Sequence, residues 1–169
     1  MNVDFGPVEY NSAVLGEEKF SVVTTPTNGF TTKAATLILD GAFTYRVKYA
    51  VDSSLEGKTL YAEYYSVRVS EETENPILQG SVALTPTGDG TSYYARITGI
   101  AAKDMDEAIV IKPYYLNENG EKVYGAELVY SGYEYVRRTL ASSSSDETLK
   151  DTAKALAMYI HCADEALTK

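Results

Sequence analysis

The sequence predicts an antiparallel, immunoglobulin-like β-sandwich of about seven to eight strands with a C-terminal α-helix packed on it. Three observations carry this expectation: runs in which apolar and polar residues alternate, turn-forming clusters between those runs, and a helical repeat confined to the last quarter. From Phe43 to Val51 every odd position is apolar and the even ones are mostly polar, the pattern of a half-buried strand. Leu37-Ile38-Leu39 precedes it through Asp40-Gly41, a dipeptide suited to a tight hairpin because both positions tolerate positive φ. Further strands are expected over 19–25, 60–69, 77–84, 92–100, 108–116 and 122–130. Within 60–69 the apolar phase shifts near Tyr64-Tyr65-Ser66, which predicts a bulge or strong bend. Thr85-Pro86-Thr87-Gly88-Asp89-Gly90 and Asn117-Glu118-Asn119-Gly120-Glu121 read as punctuation, the latter as a hairpin loop. No helix interleaves these strands, so a sandwich is favoured over a parallel α/β sheet.

The last quarter changes character. Ser142 to Ser145 form a polar hinge, Asp146 suits an N-cap, and Glu147 sits in the first turn of a helix running to about Leu167. Leu149, Ala153, Leu156, Ile160, Ala163 and Leu167 recur at alternating spacings of four and three, giving one apolar stripe. That stripe either packs on the sandwich or its edge, or serves a partner or a second copy. A short helix is expected from Gly132 to Leu140. The organisation is therefore residues 1–33 as a strand-bearing N-terminal extension, 34–141 as the sandwich, and 142–169 as hinge and helix of the same domain.

Composition narrows the function. A chain of 169 residues is about one domain long and buries roughly 70% of the surface its unfolded form exposes. Its 15 Lys+Arg against 24 Asp+Glu give a net charge of -9, which repels phosphate backbones and anionic lipid heads, so nucleic acid and membrane are not expected partners. No stretch approaches the roughly 20 apolar residues of a spanning helix, and Met1-Asn2-Val3-Asp4 reads as a start without an export signal. The one cysteine, Cys162, has no internal disulfide partner and is expected as a small buried apolar residue.

Tests for chemistry return little. His161 is the only histidine and neighbours Cys162 on one helix, where adjacent side chains diverge by about 100° and do not form a nucleophile and base pair. Asp104-Met105-Asp106-Glu107 lacks the glycine and spacing of a calcium loop, and Glu71-Glu72 with Glu74 reads as a charged loop. Gly88-Asp89-Gly90 precedes a strand rather than a helix, so it is no phosphate cradle. No catalytic residue, metal or cofactor is expected, and the chain reads as a non-enzyme.

What stands out is 15 Tyr and no Trp, with the doublets Tyr64-Tyr65, Tyr93-Tyr94 and Tyr114-Tyr115 inside strands. Neighbouring strand side chains point to opposite faces, so each doublet places one ring in the core and one outside. Alternation with Ala95 and Ile97 turns Tyr93 inward and leaves Tyr94 with Arg96 outside; Tyr114, in phase with Lys112, is the expected exposed member of its pair. Tyr94, Arg96, Tyr114 and Tyr65 are the candidate binding residues.

Four segments carry a family resemblance: Thr36-Leu37-Ile38-Leu39-Asp40-Gly41, then Ile100-Ala101-Ala102-Lys103-Asp104-Met105, then Tyr130-Ser131-Gly132-Tyr133-Glu134-Tyr135, then Lys154-Ala155-Leu156-Ala157-Met158-Tyr159. In this order, over about residues 34 to 165, the chain resembles a recurring β-sandwich module of large secreted and surface proteins of gut Firmicutes. It departs from that module at Ile160, where a glycine usually follows the helix tyrosine. The resemblance implies an accessory, non-catalytic role at the cell surface or outside the cell. The expected function is a structural or adhesive module binding a protein partner or surface glycan through outward tyrosines. The alternatives are a virion component, such as a head decoration or tail protein that self-associates or binds a capsid lattice, and a carbohydrate-binding module.

Overall fold

A computed structural model describes residues 9–39, 41–67 and 78–167. Six strands form one antiparallel sheet: β1 (Ser21–Val22), β10 (Leu128–Tyr130), β8 (Ile109–Leu116), β4 (Leu60–Ser66) and β5 (Gln79–Ala83) lie in that order, and β9 (Lys122–Tyr124) also pairs with β8. The second sheet has four strands in the order β2 (Phe30–Ile38), β3 (Thr44–Val51), β7 (Ser92–Thr98) and β6 (Thr85–Pro86). The two sheets share one core, and a pair of helices, α1 (Gly132–Ala141) and α2 (Glu147–Leu167), completes the chain. The architecture is thus the expected β-sandwich with a C-terminal helix.

Tyrosine and phenylalanine bridge the sheets. The Tyr45 ring on β3 meets Tyr130 on β10 edge-on at 5.6 Å, and Phe30 on β2 lies 6.3 Å from Tyr115 on β8. Tyr45, Tyr49 and Tyr130 are almost fully buried, and that burial pushes their phenols well above the usual range. Tyr45 donates to the Met105 carbonyl at 3.4 Å, whereas the Tyr49 hydroxyl has no partner among the described residues. Each tyrosine doublet splits as strand geometry requires: Tyr64, Tyr93 and Tyr115 pack against the core, and their neighbours face the other way.

Several elements differ from expectation. β2 starts at Phe30, a core residue, and so crosses the boundary drawn between residues 33 and 34; its register against β3 shifts between Thr32 and Ala34, which breaks the alternation that would have marked it. The hairpin to β3 is present, its last pair being Ile38 with Thr44, while Asp40 lies outside the described residues. The bulge expected at Tyr64-Tyr65-Ser66 does not occur, because β4 pairs with β8 without interruption from Leu60 to Ser66. The apparent phase shift arises because Ser66 is buried, its hydroxyl accepting from the Leu78 amide at 2.7 Å, while the aromatic Tyr65 faces outward. Positions 68, 69 and 77 of the expected strands lie outside the described residues.

The single strand expected over 122–130 is two. A strand residue's N–H and C=O point to the same edge, and the Pro113 carbonyl accepts from the Gly125 amide at 2.8 Å. The donor that Pro113 lacks therefore faces this edge, and the ladder on β8 breaks there into β9 and β10. Only glycine fits at 125, since a Cβ would sit 2.8 Å from Pro113 Cγ and 2.9 Å from Phe30 Cβ.

The Ser131 hydroxyl caps α1 by accepting from the Glu134 amide at 3.2 Å, and the Asp146 carboxylate caps α2 by accepting from the Leu149 amide at 2.7 Å. α2 packs on α1 and on the 3-10 turn Ala102–Asp104. Ala153, Leu156, Ala157 and Ile160 are its buried side chains; Leu149 of the expected stripe, in the first turn of α2, is exposed. The Leu167 side chain lies outside the described residues. Cys162 is exposed rather than buried: two residues beyond Ile160, it is turned about 200° from the packed face. Arg137 ties the N-terminal 3-10 turn Ser12–Leu15 to α1, donating to Glu134 Oε1 at 2.8 Å and to the Leu15 and Gly16 carbonyls at 3.2 and 2.9 Å. The described part of the expected extension is thus fastened to the sandwich, with β1 paired to β10.

Candidate functional site

The outer face of the six-stranded sheet is built by register. Tyr61 on β4 pairs with Tyr114 on β8, and Tyr114 pairs with Tyr124 on β9, so three rings stand in one row across three strands. Directly paired side chains on one face lie about 4.5–5.5 Å apart at Cβ, close enough for ring contact. Tyr61 and Tyr114 stack at 5.3 Å with 20° between their planes, and Tyr114 and Tyr124 lie 5.6 Å apart at 56°. The next row of the same face pairs Glu63 with Lys112, and the one beyond carries Tyr65.

Charges are threaded between the rings. The Lys112 ammonium lies 5.3 Å from the Tyr65 centroid and 4.8 Å from that of Tyr124, while Lys122 sits 4.8 Å above Tyr114 and 2.9 Å from Glu63 Oε2. Partial burial raises the Glu63 carboxyl, but hydrogen bonds from Lys122 and Tyr124, with the Lys122 and Lys112 charges, outweigh it and hold the group below the ordinary carboxylate range. The Tyr114 hydroxyl is 2.9 Å from the Ser81 hydroxyl on β5. Towards that strand the face sinks into a shallow depression of about 580 Å³ lined by Glu63, Tyr65, Ser81 and Lys122 among others. Such a surface offers flat rings, hydroxyl edges, two ammonium groups and one paired carboxylate. It suits docking by shape and hydrogen bonding.

The four residues singled out from sequence do not form one site. Tyr65 and Tyr114 lie on this face, whereas Tyr94 and Arg96 belong to β7 and stand on the outer face of the opposite sheet. Tyr114 faces outward as alternation requires, but it is not exposed: at 6% accessibility it is covered by Tyr61, Tyr124 and Lys122. Sequence reasoning passed over Tyr61, Glu63, Lys112, Lys122 and Tyr124. The signal was present in part, since Tyr61 and Glu63 share the phase of Tyr65 on β4, but their neighbours come from register.

The other expected centres are scattered. His161 Nε2 lies 3.5 Å from Glu165 Oε1 one helical turn away, on α2. Among the described residues no group of three His, Cys, Asp or Glu stands close enough to hold a metal ion. Lys103 pairs with Asp104 at 2.9 Å, and Glu71, Glu72 and Glu74 lie outside the described residues. Among the described residues no helix is long and apolar enough to cross a membrane. No protein-family model matches the chain, and no curated protein matches it.

Proposed function

We propose that this chain is a non-catalytic structural or adhesive module of an extracellular or surface assembly, docking a protein partner through the outer face of its six-stranded sheet. The observation that supports this reading is the row Tyr61, Tyr114 and Tyr124 with Lys112 and Lys122 interleaved, set on rigid paired strands. Tyrosine presents a large ring with few rotatable bonds and a polar tip, the combination enriched where proteins meet. The rings are already held by one another and by the two lysines, so little side-chain freedom remains to be lost on docking.

Site-specific photocrosslinking tests the proposal. A benzophenone amino acid replaces Tyr65 in the full chain, a control carries it at exposed Glu118, and both are irradiated on intact cells of the producing organism. A discrete protein adduct from position 65 and none from 118 supports the reading. Equal labelling at both positions, or adducts at neither, refutes it. Glycan-array binding that is lost in Tyr65→Ala would replace the protein partner with a carbohydrate.

A further inference from the structure

The four-stranded sheet breaks the charge balance of the chain. Asp and Glu outnumber Lys and Arg by 24 to 15 overall, yet β2, β3, β6 and β7 carry Lys33, Arg46, Lys48 and Arg96 and not one acidic residue. Arg46 on β3 pairs directly with Arg96 on β7, and Lys48 pairs with Tyr94. Like charges placed opposite one another on a sheet face are destabilising unless something neutralises them. Among the described residues neither arginine has a carboxylate partner: the Arg96 guanidinium donates to the Thr85 hydroxyl at 2.7 Å, and both guanidiniums stack on Tyr94, at 4.6 and 4.9 Å from its centroid. Asp89 approaches Lys48 only at 4.0 Å and is held by the Thr91 and Ser92 amides at 2.9 and 2.7 Å. Tyr94 therefore holds two guanidiniums side by side, with no carboxylate among the described residues to neutralise them.

We infer that this outer face is a second recognition surface, separate from the tyrosine row, that takes an extended acidic segment of a partner polypeptide. Arg46 and Lys48 are two residues apart on one strand, so their charges repeat at about 7 Å along it. An extended chain with carboxylates at alternate positions has the same repeat, and a guanidinium donates two parallel N–H bonds to a carboxylate. A long polyphosphate or an anionic membrane matches less well, because beyond this patch it would meet a chain of net charge -9.

Calorimetric titration of the full chain with an acetylated, amidated peptide of alternating glutamate and threonine tests this, with alternating glutamine and threonine as control. The glutamate peptide binds, more weakly at about 150 mM than at about 20 mM salt. Arg46→Gln and Arg96→Gln each weaken it at least about tenfold, and Tyr65→Ala on the opposite face leaves it unchanged. Arg46→Gln melts no lower than the parent, which a structural role for the pair does not predict. Equal binding of the two peptides, or undiminished binding by the double arginine variant, overturns the inference. A sulfated oligosaccharide bound more tightly, with the same arginine dependence, overturns the polypeptide in favour of a glycan. Self-association abolished by the arginine changes overturns it in favour of a second copy.

Discussion

Replacing Tyr114 by alanine separates what this ring does for the fold from what the tyrosine face does for binding. Tyr114 is 6% exposed although it lies on an outer face, with Tyr61 stacked at 5.3 Å, Tyr124 at 5.6 Å and the Lys122 ammonium at 4.8 Å. Removing a buried aromatic ring costs about 3–5 kcal/mol, and each aromatic pair adds about 0.5–1.5 kcal/mol beyond area. Neighbours on a sheet face relax more freely than those in a core, so the low end applies, about 3 kcal/mol. For a domain of this size that lowers Tm by about 6–12 °C. Tyr114→Phe keeps the ring and loses only the 2.9 Å contact with Ser81, a loss of about 1 kcal/mol. Tyr65→Ala, at a half-buried ring with one lysine contact, costs less than half of Tyr114→Ala. Urea and thermal denaturation of the three variants measure these differences. A Tyr114→Ala protein within about 1 kcal/mol of the parent would refute the reasoning. The practical consequence is that position 114 probes stability, and position 65 probes binding.

Gly132→Ala should destabilise the chain by about 1–3 kcal/mol even though alanine favours helix by up to about 1 kcal/mol, because the added Cβ would sit 2.8 Å from the Met105 carbonyl oxygen, 3.0 Å from Met105 Cβ and 3.1 Å from Ile160 Cδ1. Chemical denaturation decides it, and an unchanged midpoint would mean that this junction is loosely packed. Glu134 is 2% exposed, with Oε1 paired to Arg137 and Oε2 without a partner among the described residues; burial raises its carboxyl pKa despite the Arg137 charge. A raised folded-state pKa favours the protonated folded form, so its contribution is fully present below the unfolded value near 4.5 and is lost as pH rises through the folded value. Glu134→Gln keeps an acceptor for Arg137 and should flatten this decline in urea titrations from about pH 4 to about pH 7.

The junction around Gly132 bears on how the sequence is read. Gly132 donates to the Met105 carbonyl at 2.7 Å, Tyr45 donates to the same oxygen at 3.4 Å, and Ile160 on α2 closes the contact. Met105 and Gly132 come from two segments that stand out in the sequence, and Ile160 directly follows a third. Their proximity is a packing fact with no local signature. β6 and the β9 to β10 break were equally hidden, the first because a proline-containing pair reads as a turn and the second because its cause, Pro113, sits on a different strand. Cys162 was misplaced because burial was inferred from residue type, whereas its position, about 200° around α2 from Ile160, turns it away from the packed face.

Alternation and turn chemistry are local properties of covalent geometry, so the sequence alone determined the two-sheet class, the hairpins, both helices and the splitting of each tyrosine doublet between two faces. Register and sheet membership are long-range, and only the tertiary structure decided them. It set Tyr61, Tyr114 and Tyr124 in one row, placed Arg46 opposite Arg96, and put Tyr65 and Tyr94 on opposite sides of the molecule. A side chain's face follows from its neighbours in the chain, but its companions on that face follow from which strands the whole core brings together.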